Sequence, residues 1–218
     1  MNLYSKILGL PFVFKKLRPL LLGFDEKKDF KPIYDLLYAE DDDIVVDIGC
    51  GMGNALNYIH TFSEYYGFDT DAEALREFEK NYSDDRVCLY NRCFDAEDAI
   101  TINPSKICMF GLLHHLDDAE VRILLDSVSR SRSLKRIITC DVFYEDNNMA
   151  RKMKKLGVGI NNLFTKLDRG KFGREIGHYK QLIPECLHIV KEVILPVGYF
   201  VKLFVMVIEV KEGLQQNE

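Results

Sequence analysis

The sequence predicts a doubly wound α/β domain in which one mostly parallel sheet of seven strands ends in an antiparallel C-terminal hairpin. Two observations lead to this fold class. From about residue 43 onward, short β-rich runs alternate with helical patterns, and the runs are apolar on both faces, as strands covered by helices should be. The last two runs are separated only by Pro196-Val197-Gly198, so they should pair antiparallel.

The expected elements follow in order along the chain. Strands are predicted at residues 44–48, 65–69, 87–90, 106–110 and 136–142, followed by the hairpin strands 189–195 and 199–210. Helical patterns cover residues 53–62, 71–81, 117–131, 147–166 and 178–187, and Asp71 is the expected N-cap of the second. We therefore divide the chain into an N-terminal helical lid, residues 1–40, and a sheet domain, residues 41–218, with a basic helical insertion at about 145–183.

The composition of the chain narrows the classes of protein to which it could belong. A net charge of -5 and a pI near 5.6 do not suggest a nucleic-acid binder. No apolar run reaches the roughly 20 residues that a membrane span needs, so we expect a cytoplasmic protein. The sequence has no CxxC pair and no histidines at metal-ligand spacing, so neither a disulfide framework nor a metal is expected. The cysteines should be reduced and mostly buried: Cys50, Cys88, Cys93, Cys108, Cys140 and Cys186.

The strongest motif is a glycine loop that follows the first strand, Asp47-Ile48-Gly49-Cys50-Gly51-Met52-Gly53. Its glycines let the backbone turn sharply and approach a ligand closely. Asp69 ends the second strand beside this loop, where a carboxylate can accept hydrogen bonds from both hydroxyls of a ribose. A dinucleotide fingerprint would have a third glycine at Asn54, and Asp47 suits the ammonium of an amino acid better than a diphosphate. The simpler interpretation of Asp47 is that it caps backbone amides of the loop.

These segments resemble class I S-adenosylmethionine-dependent methyltransferases. Residues 47–53 look like the first motif of that family and Tyr66-Gly67-Phe68-Asp69 like its second-strand motif. Residues 91–98 are similar to the segment that flanks adenine, and residues 110–118 resemble a fourth-strand motif with a Leu-His-His-Leu signature. The likeness covers about residues 43–142. The turn at residues 133–136 departs from it, because many relatives have Pro-Gly-Gly where this chain has Ser-Leu-Lys-Arg.

The resemblance implies that S-adenosyl-L-methionine is the cofactor. The glycines would line its methionine part, Asp69 would hold the ribose, Asp95 would meet the adenine amino group, and backbone near Gly111 would hold the ammonium end. The expected cofactor-binding residues are Asp47, Gly49, Cys50, Gly51, Gly53, Asp69, Thr70, Asp95, Ala96 and Gly111.

Candidates for catalysis come from the ends of the fourth and fifth strands. The sulfonium charge already activates the methyl group, so a general base is needed only if the acceptor must lose a proton. His114, His115 and Tyr144 are the candidates because they lie at the carboxyl edge of the sheet, where ligands bind in such folds. Either histidine could instead be structural, one starting the next helix and the other packing beneath it.

Positive charge is concentrated between residues 151 and 180. One interpretation is an acidic or lipid-like acceptor held by arginines, and the other is a solvated helix face. Residues 167–174 resemble an Asp-Arg-Gly…Arg segment of some of these methyltransferases, although Gly173 stands where a β-branched residue is expected. Asp141 could contact the acceptor or satisfy loop amides. The substrate-binding candidates are Arg18, Asp141, Arg169, Arg174 and Tyr179.

The N-terminal segment has two interpretations. Residues 8–24 mix apolar and basic side chains, so they could cover the cofactor with Arg18 facing the pocket, or lie on a membrane surface. For the whole chain we predict methyl transfer to a small, anionic or lipid-like acceptor. A non-catalytic cofactor-binding scaffold and a nicotinamide-dependent oxidoreductase are the alternatives. A nucleic-acid acceptor is not expected, since no basic and aromatic stacking platform is present.

Overall fold

The computed structural model describes residues 26–145, 162, 171–197 and 201–211. Its helices in these ranges are α1 Glu26–Tyr34, α2 Ala72–Asn81, α3 Ala96–Ile102, α4 Asp118–Val128 and α5 Ile176–Gln181. Its strands there are β1 Ile44–Ile48, β2 Glu64–Phe68, β3 Val87–Tyr90, β4 Lys106–Phe110, β5 Arg136–Tyr144, β6 Arg174–Glu175, β7 Leu187–Val197 and β8 Val201–Val210. Short 3-10 turns cover Asp35–Leu37, Asn54–Asn57 and Leu113–His115.

The sheet confirms the predicted fold class. Its order is β3-β2-β1-β4-β5-β8-β7, and the first five strands in that order are all parallel. β8 pairs antiparallel with both β5 and β7, so the C-terminal hairpin closes the sheet as expected. The two-residue strand β6 adds a short parallel pairing to the end of β5. Because the strand order reverses between β1 and β4, the crevice for a ligand opens above these two strands.

Two apolar clusters cover the two faces of the sheet. α3 and α4 pack on one face through side chains that include Ala99, Val121 and Leu125. α1 and α2 pack on the other face, where Ile33 and Phe78 are buried. β1 supplies alternate residues to the two clusters, which is why its sequence is apolar except at Asp47.

Helix ends agree with local sequence signals where a capping residue is present. Asp71 is the N-cap of α2, as predicted, and accepts hydrogen bonds from the amides of Glu73 and Ala74. Asp117 forms a capping box with Glu120 at the start of α4. The α3 helix was not predicted, although Asp95 and Asp98 form the same kind of box at its start.

Three expected elements differ from the structure. The helix predicted at residues 53–62 is only the 3-10 turn Asn54–Asn57, because the asparagine, β-branched and aromatic residues that follow are weak helix formers. The helix predicted at 178–187 is the shorter α5 and ends ahead of Pro184. Pro196 does not form the hairpin turn but lies inside β7, which tolerates a proline because it is an edge strand.

Some expectations fall outside the described residues. They concern residues 1–25 of the proposed lid, the helix predicted at 147–166, Arg18 and Arg169. All six cysteines are free, but only Cys50, Cys108 and Cys140 are buried. Cys88 was expected in a covered strand and is exposed, since β3 is an edge strand. Within the ranges that the structure covers, no helix combines the length and apolar character of a membrane span.

Candidate functional site

The glycine loop turns sharply directly above β1. Gly49, Gly51 and Gly53 all have positive φ angles, of 76°, 53° and 80°. A Cβ at Gly53 would lie 2.7 Å from the Phe78 ring of α2, so glycine is required there by contact as well as by conformation. The amides of Gly49 and Cys50 both donate to the carbonyl of Phe68 at the end of β2, which fixes the loop to the neighbouring strand.

Asp69 connects the loop to the end of β2. Its Oδ2 accepts a hydrogen bond of 2.8 Å from the amide of Gly51, and its Oδ1 accepts one of 2.8 Å from the amide of Asp71. Each carboxylate oxygen has a second lone pair, so both can still accept from a ligand. Thr70 follows on the exposed side. The structure thus brings together the loop and the acid that the sequence placed there.

Asp47 is buried on β1, on the face that α1 covers. The Tyr65 hydroxyl donates to Asp47 Oδ2 over 2.6 Å. Burial raises the pKa of Asp47 to about 6, against the opposing effect of this hydrogen bond. Among the residues that the structure describes, no basic side chain forms an ion pair with this carboxylate. Its charge is therefore available to a cation that enters the crevice.

An aromatic stack that was not predicted from the sequence lies beside Asp47. The ring of Tyr34 from α1 lies between the rings of Phe110 and Tyr58, with centroid distances of 4.1 and 5.1 Å. Burial, and secondarily the charge of Asp47, raise the pKa of Tyr34. Phe110 ends β4 and Tyr58 follows the glycine loop, so the stack joins α1 to both sides of the crevice. Three aromatic residues far apart in sequence carry no local pattern that reveals this contact.

The adenine-side candidates lie at the start of α3. Asp95 is the N-cap, and its Oδ1 accepts from the amides of Glu97 and Asp98. Ala96 is the first residue of the helix. The Asp95 side chain is exposed, and its second oxygen, Oδ2, lies 3.9 Å from Arg92 Nη1.

The turn after β4 carries a buried histidine–carboxylate pair. Gly111 begins this turn with a φ of 62°, and its amide donates to the carbonyl of Cys140. His114 Nδ1 lies 2.8 Å from Asp141 Oδ1, which also accepts from the His114 amide at 3.2 Å. Burial raises the pKa of Asp141, and the contacts with His114 act in the opposite direction. The sequence named both residues as candidates but gave no sign that they contact each other. His115 is exposed, with its ring centroid 4.2 Å from that of His114.

The acceptor-side candidates are divided between a cavity and the interior. Tyr144 and Arg174 border a cavity of about 400 Å³ at the end of β5, which is also lined by Glu145, Asn162, Gly173, Glu175 and His178. The Arg174 side chain, however, is buried, and its guanidinium donates to protein oxygens. The Tyr179 hydroxyl is buried as well and donates to the carbonyl of Val142. These positions favour structural roles for both residues over the predicted contact with an acceptor.

Comparisons with known proteins agree with this geometry. Residues 45–133 match the family described as methyltransferase domain. The SAM-dependent methyltransferase of Anabaena variabilis has a similar structure, with a TM-score of 0.58 and 18% identity over 95% of this chain and 92% of that one. No curated protein sequence matches the chain.

Two further solved structures are similar to this chain. The mitomycin 7-O-methyltransferase MmcR gives a TM-score of 0.61 at 16% identity, over 95% of this chain and 60% of that one. A chain from the complex between the Haloferax volcanii Trm112 methyltransferase activator and its proposed methyltransferase gives 0.65 at 14%, over 92% and 96%. The match over residues 45–133 and the sheet support a class I S-adenosylmethionine-dependent methyltransferase, with S-adenosylmethionine as its cofactor.

Proposed function

We propose that this enzyme transfers a methyl group from S-adenosylmethionine to a small acceptor that binds near the end of β5. The observation that carries the proposal is the tether between Asp69 and the Gly51 amide, which sets a carboxylate beside a glycine loop at the reversal of strand order. A buried carboxylate without a basic partner among the described residues, Asp47, lies below the same loop and suits the positive charge of the cofactor.

The proposed contacts with the cofactor follow from these positions. Asp69 would accept from the ribose hydroxyls, with Thr70 beside it, and Asp95 would accept from the adenine amino group through its Oδ2. Gly49, Cys50, Gly51 and Gly53 would line the methionine part, with Asp47 and the backbone of Gly111 toward its ammonium. When bound, S-adenosylmethionine supplies a methyl group that its sulfonium charge has already activated. The protein then aligns the acceptor and excludes water.

His114 is the best-placed general base if the acceptor must lose a proton. With Asp141 ionised, Nδ1–H donates to the carboxylate and the lone pair lies on Nε2, which is the form that a base requires. Asp141 would orient the His114 ring and hold the turn in place, and it would not contact the acceptor. His115 and Tyr144 are the more exposed candidates at the same edge.

A small acceptor is supported by the cavity beside Tyr144, whose volume of about 400 Å³ suits a metabolite-sized molecule. MmcR, one of the structural relatives, is named as a methyltransferase of the small molecule mitomycin. The proposal that the acceptor is anionic depends on Arg18, Arg169 and the lysines and arginines of residues 151–166, because Arg174 is bound internally and Lys180 pairs with Glu192.

Thermal unfolding tests the cofactor site first. S-adenosylhomocysteine at about a hundred times its dissociation constant should add about 2.7 kcal/mol of stability, which corresponds to roughly 5–10 °C for a domain of this size. NAD at the same concentration should give no shift. A shift with NAD alone would contradict the proposed site.

Methyl transfer from radiolabelled S-adenosylmethionine into a cell extract tests the acceptor class. We expect the label in the small-molecule or lipid fraction, and the comparison of these two fractions separates a soluble metabolite from a lipid-like acceptor. Label that enters only protein or nucleic acid would refute a small acceptor.

A further inference from the structure

We propose that Arg174 is a positioning residue that fixes the turn carrying His114 and His115, and does not bind the acceptor. The inference rests on the proposed function in one respect: one of its two tests measures the binding of S-adenosylhomocysteine at the proposed donor site. Its starting point is the 3-10 turn Leu113–His115, in which the amide of Leu116 donates to the carbonyl of Leu113 over a long 3.3 Å.

The segment that leads into β6 supplies further donors to this turn. Arg174 Nη1 donates to the carbonyl of Leu113 and Nη2 to that of Leu116, each over 2.7 Å. The amide of Phe172 donates to the carbonyl of His114 over 3.0 Å. Three carbonyls of the turn are therefore held by residues 172–174, which are distant in sequence.

The guanidinium is bound almost entirely within the protein. Nε donates to Asp118 Oδ1 over 2.8 Å, Nη1 makes a further bond to the carbonyl of Phe172, and Nη2 lies 2.8 Å from Asp118 Oδ1 in an ion pair. Together with the bonds to the turn, four of the five N–H groups of the arginine make hydrogen bonds to the protein. Only 4% of Arg174 is exposed. Its charge is balanced by Asp118, whose Oδ2 also contacts His178 Nε2 at 2.7 Å.

Asp141 holds the same turn from the opposite side. Its Oδ1 binds both the amide and the ring Nδ1 of His114, as described above. The turn is thus fixed between a carboxylate from β5 and a guanidinium from β6, whose strands pair at their ends. Removing either one would let the His114 ring change its position relative to the sheet.

The turn also contacts the glycine loop. Leu112 precedes the turn directly, and its Cδ1 would lie 3.2 Å from a Cβ at Gly49. A shift of the turn therefore changes the wall against which the loop packs. We expect loss of the Arg174 contacts to reduce affinity for the donor product even though Arg174 does not reach the donor site.

The test compares Arg174→Lys with Arg122→Lys as its matched control. Lysine keeps the charge but cannot reach two carbonyls and Asp118 at once. Arg122 is exposed and donates to one backbone carbonyl, that of Gln181. In Arg174→Lys we expect the dissociation constant of S-adenosylhomocysteine to rise about tenfold, which is the effect of losing one or two charge-assisted hydrogen bonds. The Hε1 resonance of His114 should shift in the same variant without ligand, and neither change should occur in Arg122→Lys.

Asp118→Asn provides a second variant should Arg174→Lys fail to fold. It weakens one contact of the guanidinium and keeps the carbonyl bonds, so smaller changes in the same direction are expected. Unchanged S-adenosylhomocysteine affinity and an unchanged His114 resonance in these folded variants would overturn the proposal and restore Arg174 as an acceptor residue. Failure of the wild-type protein to bind S-adenosylhomocysteine would instead contradict the donor site, and the His114 resonance would still test the position of the turn.

Discussion

At the scale of single residues, burial of Asp47 opposes stability and favours cation binding. Its folded-state pKa of about 6 lies above the 3.8 of an unperturbed aspartate. Between about pH 4 and 6 the folded state therefore holds more protons than the unfolded chain, and the contribution of this group to the free energy of unfolding falls as the pH rises. Above pH 6, the raised pKa of Asp47 lowers the free energy of unfolding by about 3 kcal/mol.

Asp47→Asn removes this cost while leaving an acceptor for the Tyr65 hydroxyl. We expect the free energy of unfolding of the variant to exceed that of wild type by up to about 3 kcal/mol at pH 7, with the difference vanishing toward pH 4. Urea unfolding of both proteins across this range measures it. S-adenosylmethionine affinity should change in the opposite direction, because the variant offers no charge to the cofactor. A difference that does not depend on pH would show that Asp47 titrates normally.

Asp69→Ala tests the placement of the ribose. The substitution removes a charged acceptor for two hydroxyls, so the affinity for S-adenosylhomocysteine should fall about a hundredfold, as for a loss of roughly 3 kcal/mol. Asp71→Ala is the control, since it removes the N-cap of α2 and about 1 kcal/mol of stability but keeps the backbone amide that donates to Asp69. Calorimetric titration measures both variants. Equal affinities in the two would remove Asp69 from the site.

At the scale of elements, the loop between β1 and β2 is held by its contact with α2. Gly53→Ala would combine an unfavourable positive φ with a Cβ 2.7 Å from the Phe78 ring, so we expect it to lower the free energy of unfolding by about 3 kcal/mol. Gly51→Ala meets no atom within 4 Å and should cost only about 1 kcal/mol for its backbone. Urea unfolding separates the two. Equal losses would mean that the helix moves to accommodate the methyl group.

The elements that were predicted well have signals within a few residues of themselves. The strands β3 and β4 agree with the sequence at both ends, and Asp71 marks the start of α2. The glycine loop and Asp69 were also found, because their spacing is fixed by one βαβ unit. Sequence signals failed where tertiary contact decides the outcome. For example, β7 continues through Pro196 because its outer edge is open. The helix expected over 53–62 failed for a different reason, because the weak helix formers after Asn57 are a local signal that the prediction overlooked.

The sequence predicted which residue types lie near the candidate site, but it did not predict the contacts that these residues make. An arginine and a tyrosine near the carboxyl edge suggest an acceptor site, yet Arg174 and Tyr179 point into the protein and bind carbonyls of other segments. Conversely, the contact between His114 and Asp141 joins the turn after β4 to β5. Side-chain direction at the end of β6 and α5 depends on how these elements dock, and no local pattern encodes it.

At the scale of the whole molecule, Tyr34 couples α1 to the crevice. Its ring is buried and stacks on Phe110 and Tyr58, so Tyr34→Ala would open a cavity under α1 and lower the free energy of unfolding by about 3–5 kcal/mol. Tyr38 in the same segment is mostly exposed, with its ring beside the Arg136 guanidinium, and Tyr38→Ala should cost under about 1 kcal/mol.

Measurements of donor binding distinguish a loss of stability confined to α1 from an effect of α1 on the crevice. Because the stack joins α1 to the residues after β4 and after the glycine loop, Tyr34→Ala should also weaken S-adenosylhomocysteine binding, whereas Tyr34→Phe keeps the ring and should preserve it. Calorimetric titration of both variants, with Tyr38→Ala as the control, measures this effect. Full donor affinity in a destabilised Tyr34→Ala protein would mean that α1 stabilises the fold without shaping the crevice. Parallel losses of stability and affinity would make α1 part of the donor site.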